Sequence, residues 1–135
     1  MMPVVGVAAI VFDDADRVLL VERGGPPSAG RWTVPGGKLE PRETIAQGVA
    51  REVREETGLI VEVGALACVV EAILDDYHYV ILDYFARTIG GELAAGSDAR
   101  AARFVAYDEL ADLPLTDGLA DVLARAREQR SRAAR

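Results

Sequence analysis

Apolar positions along the chain fall into runs of different period. Residues 4–12 (VVGVAAIVF) are apolar and rich in Val and Ile, and read as a buried strand. Asp13-Asp14-Ala15-Asp16 makes a turn, and residues 17–22 (RVLLVE) read as the returning strand of a hairpin. Gly24-Gly25-Pro26-Pro27-Ser28 is a loop, Trp32-Thr33-Val34 a short strand, and Pro35-Gly36-Gly37 breaks the chain again. Over residues 44–56 the period changes. Ile45, Val49 and Val53 recur at every fourth position, which predicts a helix with one apolar stripe, and Gly58 stands where a helix stop belongs. Residues 60–74 and 77–88 predict two long strands joined by a turn at Asp75-Asp76. Residues 90–93 and 102–107 predict two shorter ones. Residues 116–130 predict a last helix, with Thr116 or Asp117 as N-cap and Leu119, Val122, Leu123 and Ala126 facing inward. The tail, 128–135, is expected to fray. Strands, a helix, strands and a helix, without repeat or linker, predict one α/β (α+β) domain over 1–135, with helices packed on a curved sheet.

Composition narrows the function. A chain of 135 residues is about one domain, and 50% hydrophobic with 27% charged residues is a globular balance. The net charge of −7 argues against duplex nucleic acid and anionic membrane, whose recognition needs clustered cations. No apolar run approaches the roughly 18 residues of a membrane span, and no signal peptide is evident. Cys68 is alone and reads as a small buried hydrophobe, so neither a disulfide framework nor a cysteine-rich zinc site is expected. The expected setting is reducing and cytoplasmic.

The predicted first helix carries the chemistry. On it Glu52 and Glu56 are i and i+4, one above the other, and Glu55 lies about 60° around from Glu52. Three like charges on one face repel. A hard cation such as Mg²⁺, which takes oxygen ligands and substrate phosphates, would relieve them. Gly48, inside the helix beside this face, reads as a close-approach position.

The run from Gly37 to Leu59, GKLEPRETIAQGVAREVREETGL, resembles the signature of the Nudix hydrolase family. Gly37, Glu43, Arg51-Glu52-Val53, Glu55-Glu56 and Gly58-Leu59 fill every position of that box, and the approach Trp32-Thr33-Val34-Pro35-Gly36 is similar too. The resemblance implies an α/β/α sandwich with a mixed curved sheet. It implies hydrolysis of a nucleoside diphosphate linked to another moiety, with Mg²⁺ (or Mn²⁺) as cofactor. It assigns the metal to Glu52 and Glu56, with Glu55 as third ligand or water holder and the Gly37 carbonyl completing the shell. Glu43 would pair with Arg51 in a structural role. The general base would be Glu55 or Glu52, or Asp98 in the loop at 95–98. That loop also reads as a plain turn.

Substrate contacts are expected from Arg23, at the end of the second strand, and from Arg31 and Trp32 across the glycine–proline loop. Trp32 could stack on a base, but reads more readily as core. Alternation on the 77–88 strand puts Tyr77, Tyr79, Ile81, Asp83 and Phe85 on one face. Tyr79 there is a substrate candidate, Asp83 faces a polar cleft or an edge, and His78 reads as a hydrogen-bonded strand histidine. The flanks resemble small bacterial ADP-ribose pyrophosphatase-like members, and the Tyr77–Val80 strand resembles MutT-like members that clean nucleotide pools. A nucleotide-binding sensor is the non-catalytic alternative. The expected partner is a small nucleotide; a homodimer is compatible with the sequence, which does not demand one.

Overall fold

The computed structural model describes residues 2–133. Seven strands form two sheets: β1 (Val4–Val11), β2 (Val18–Arg23), β3 (Trp32–Thr33), β4 (Gly36–Lys38), β5 (Leu59–Ile73), β6 (His78–Gly91) and β7 (Ala99–Val105). The helices are α1 (Ile45–Thr57) and α2 (Leu119–Ala133), with a 3₁₀ turn at Tyr107–Asp112. One sheet has the order β4-β1-β6-β5, with β1 and β6 parallel and the other pairs antiparallel. The other sheet is antiparallel, in the order β3-β2-β7.

The apolar run of β1 is explained by burial on both faces. Val7, Ala9 and Val11 pack with Val49 and Val53 of α1, and Ala8 and Ile10 pack with Val18, Leu20, Val105, Leu119 and Leu123 on the other side. Local chemistry sets the ends of α1. Thr44 Oγ1 accepts from the Gln47 N–H while Gln47 Oε1 accepts from the Thr44 N–H. Gly58, at φ 76°, donates its N–H to the Arg54 carbonyl. Arg127 and Arg130 reach Asp16 and fasten α2 to the turn between β1 and β2.

Four expectations need correction. β1 and β2 do not form a hairpin: after one bridge, Phe12 to Val18, they part into different sheets. Gly36–Lys38 is not a break but a strand, held to β1 by backbone bonds that need no side-chain pattern. No separate strand spans 90–93, because β6 continues to Gly91, and the next strand begins at Ala99 rather than 102. The last helix begins at Leu119, since Gly118 (φ 81°) and the bond from Leu119 N–H to the Thr116 carbonyl form a turn first. It runs on to Ala133, so 128–133 are helical, while 134–135 lie outside the described residues.

Candidate active site

The box glutamates stand where α1 meets β4. Glu56 is half-buried, and its Oε1 accepts the Gly36 N–H at 2.7 Å. Gly37 lies against Glu52 so closely that a Cβ there would sit 2.5 Å from Oε1. Glycine at 37 is thus a condition for this carboxylate to reach the sheet edge.

Arg51 organises the other acids. Its Nε and Nη2 grip Glu43 at 2.6 and 3.0 Å, and Nη2 also donates to the Lys38 carbonyl. Nη1 donates to Glu52 at 2.8 Å and Glu55 at 3.3 Å. The planar fork ties the loop before α1, the β4 end and two box carboxylates into one unit. Hydrogen bonding to Arg51 holds Glu43 below the usual carboxylate range. Burial pushes Glu52 up against the opposing bonds of Arg51. Burial pushes Glu56 up to about 7, with the charges of Glu52 and Asp98 adding and the Gly36 bond and Arg23 opposing.

The site therefore gathers Glu52, Glu55, Glu56, Gly37, Arg23 and Asp98. Asp98 arrives through a loop bonded to the end of α1: Gly96 N–H donates to the Glu56 carbonyl, and Gly24 N–H to the Asp98 carbonyl. Arg23 donates to the Pro27 carbonyl at 2.7 Å, so its loop is tied to the same end of β2. Gly36 and Gly24, which bond the site through backbone alone, were not singled out in the sequence; the paired glycines at 24–25 and 36–37 are the signal for them.

Other candidates stand elsewhere. Arg31 donates to the Leu115 carbonyl at 2.9 Å and serves the segment before α2. Trp32 is 9% exposed, in the core, with the Arg103 guanidinium 5.1 Å from its ring centroid, so its burial disfavours stacking on a base. Tyr79 stacks on Tyr77, centroids 5.9 Å apart. His78 forms no side-chain hydrogen bond among the described residues, contrary to expectation. Cys68 is only partly buried, and its thiol donates to Asp83 Oδ2 at 3.5 Å. Asp83 is 4% exposed and pushed up to about 6 by burial.

Asp83 and Glu56, two of the three raised carboxyls, make stability depend on pH. Their folded values lie above the unfolded ones, so the folded chain holds the extra proton. Their contribution is full below about pH 4 and is lost as pH rises through about 6 for Asp83 and about 7 for Glu56. Denaturant unfolding without divalent cations should show stability falling from pH 5 to pH 8, and Asp83→Asn should flatten the fall. A rise over that interval would contradict it.

The donor set suits a hard divalent cation. Glu52 and Glu56 repel each other, Glu56 has Oε2 unengaged, and every available donor is oxygen. Among the described residues no three acidic side chains converge as a finished cage, and Arg51 is bonded to both Glu52 and Glu55.

Comparison with known proteins bears on the family and the fold. The NUDIX domain model matches residues 2–126. An ADP-ribose pyrophosphatase of Methanocaldococcus jannaschii is 38% identical over 113 residues, 82% of this chain and 66% of that protein. The 8-oxo-dGDP phosphatase NUDT18 of Mus musculus is 37% identical over 69% of this chain and 28% of its own. The chain thus spans less than two thirds of either relative. The crystal structure of a MutT NUDIX hydrolase from Burkholderia pseudomallei has a TM-score of 0.84 at 34% identity, covering 93% of this chain and 98% of that one. An ADP-ribose pyrophosphatase structure from Streptococcus suis has a TM-score of 0.79 at 27% identity, covering 96% and 92%. With an intact box at the joint of α1 and β4, and a family model spanning nearly its whole length, the chain belongs to the Nudix family.

Proposed function

We propose that the protein is a metal-dependent pyrophosphohydrolase. Its substrate would be a nucleoside diphosphate linked to another moiety, of ADP-ribose or nucleotide-sugar type. The products would be a nucleoside monophosphate and the phosphorylated remainder. The observation that carries this reading is the stack of Glu52 under Glu56, anchored by the Gly36 N–H beside a glycine at 37.

Glu52, Glu56, Glu55 and the Gly37 carbonyl would hold Mg²⁺ or Mn²⁺. Bound there, the cation would neutralise phosphate oxygens and raise the acidity of water. The chain's own residues do the rest. Gly36 N–H orients Glu56 so that its second oxygen faces outward from the backbone bond. Arg51 donates to both Glu52 and Glu55 from one guanidinium nitrogen and draws the two carboxylates together. Arg23, close enough to act on the charge of Glu56, would receive a substrate phosphate. Glu55, Glu52 and Asp98 are the groups that would take the proton of the attacking water. Asp98 has no ion-pair partner among the described residues, which leaves its carboxylate available.

A turnover panel tests the reading: ADP-ribose, nucleotide sugars, 8-oxo-dGDP and normal and oxidised dNTPs, each with Mg²⁺ or Mn²⁺, with products separated by chromatography. ADP-ribose should give AMP and ribose phosphate. Mononucleotide with pyrophosphate from a triphosphate, or with phosphate from 8-oxo-dGDP, would favour the pool-cleaning reading suggested by the mouse relative's name. Silence of the folded protein on the whole panel would leave a nucleotide-binding sensor. No helix among the described residues is long and apolar enough to cross a membrane, and a cytoplasmic setting is part of the proposal. So is a homodimer, which light scattering would detect.

A further inference from the structure

α1 covers only part of its sheet. Its buried side packs on Val7, Ala9, Val11, Leu59 and Val61, with Tyr84 half-buried beside them. Tyr84 fixes the face. By alternation Leu82, Val80 and His78 of β6 lie on the same side of the sheet as α1. Register then places their neighbours, because paired residues share a face. Leu66 pairs with Tyr84, Val69 with Leu82, Glu71 with Val80 and Ile73 with His78, and Val5 of β1 pairs with Val80 from the other side. Beyond the helix this side of the sheet therefore continues as an apolar patch. Val5 is 42% exposed, Leu66 43%, Val69 51% and Ile73 65%, with Val80 and Leu82 half-buried between them. β5 ends the sheet, so among the described residues no further strand shields its outer side.

Single exposed apolar side chains need no account, but a gathered group does. With Leu74 at the hairpin tip, the patch presents on the order of 450 Å² of apolar surface, which is the apolar share of the roughly 800 Å² that each partner gives to a standard interface. Two polar side chains stand in its rows, Glu71 and His78. Neither has a hydrogen-bond or ion-pair partner among the described residues. One is an acceptor and the other a donor. No other charged side chain belongs to these rows, so the patch offers a strongly charged partner little to read. A second copy turned about a two-fold axis supplies the same two groups in reverse. Glu71 then meets the partner's His78, and His78 meets the partner's Glu71, which is the self-complementarity that an isologous interface requires.

We propose that two copies of the chain pack this face of the sheet together across a two-fold axis, with Val69 and Ile73 at the centre of the contact. The inference gives the homodimer proposed above its surface and is independent of the catalytic reading. The candidate site stands at β4, the opposite edge of the sheet from β5, so the test reads mass rather than turnover.

Sedimentation equilibrium of the whole protein is that test. Wild type should reach the mass of two 14.4 kDa chains as its concentration rises. Val69→Glu combined with Ile73→Glu changes only exposed positions, so the fold should persist, which a melting curve checks. The dimer dissociation constant should rise at least about a hundredfold, the effect of losing two central apolar contacts and setting like charges against each other. Ile89→Glu, also at an exposed position but outside the patch, should leave it unchanged. A second measurement needs no variant: in wild type the methyl resonances of Val5, Val69 and Ile73 should shift with concentration while those of Ile89 and Leu93 stay still. A single chain at every concentration up to about 1 mM overturns the dimer itself. A dimer that survives the double variant, or methyl shifts confined to Ile89 and Leu93, overturns this face as its interface.

Discussion

Glu56→Gln should lower kcat at least about a hundredfold while the protein stays folded, the scale on which loss of one main electrostatic element of a site is felt. Glutamine keeps an oxygen to accept the Gly36 N–H, so the joint of α1 and β4 survives. What disappears is the charge. In the native protein that charge is held against burial and against Glu52 one turn away. The variant should therefore be at least as resistant to unfolding as wild type above pH 7, where the wild-type carboxyl has ionised. Loss of turnover without loss of stability separates a functional acid from a structural one. Steady-state rates with Mg²⁺ and a thermal melt at pH 8 measure both. An unchanged rate would move the reaction away from α1.

Gly36→Ala should damage the fold itself. A Cβ at this position would lie 2.7 Å from the Ala8 Cβ and 2.9 Å from its Cα, and would run into the Val7 carbonyl. These neighbours are main chain and a stub of side chain in the central part of a sheet, and none can swing aside. β4 must part from β1, and the N–H that holds Glu56 leaves with it. Overpacking of this kind costs about 1–3 kcal/mol or more. For a domain of this size that is a melting point lower by roughly 5–10 °C, with activity lost as well. Gly25→Ala is the control: nothing lies within 4 Å of its Cβ, and its melting point should hardly move. A Gly36→Ala protein that melted with wild type would show that β4 is not pinned as described.

The contrast between these positions shows what can be read along a chain. The first helix is legible because its determinants are local: Thr44 and Gln47 close one end, Gly58 the other, and Val49 and Val53 mark the buried side. The i,i+4 relation of Glu52 and Glu56 is local too. What each carboxylate touches is not. Glu56 meets Gly36 twenty residues back, and Asp98 reaches the same corner only because Gly96 and Gly24 bond its loop from two sides. Trp32 and Arg31 flank the loop in sequence, yet packing takes one into the core and the other to Leu115. β4 was illegible because two of its three residues are glycine, which carry no alternation. The parting of β1 from β2 was illegible because a short polar turn fits a hairpin equally well.

That parting has a consequence for how the chain becomes a protein. Val4 is paired with Tyr79, 75 residues further on, and Val18 with Val105, 87 residues further on. A hairpin could have zipped as soon as it was made. Instead two buried apolar strands leave the ribosome early, each with one of its two partners synthesised much later. Distant pairing of this kind slows folding. Until β6 emerges, the VVGVAAIV segment has an unpaired edge even with β4 and α1 in place, so chaperone demand and aggregation risk should concentrate in the first half of synthesis.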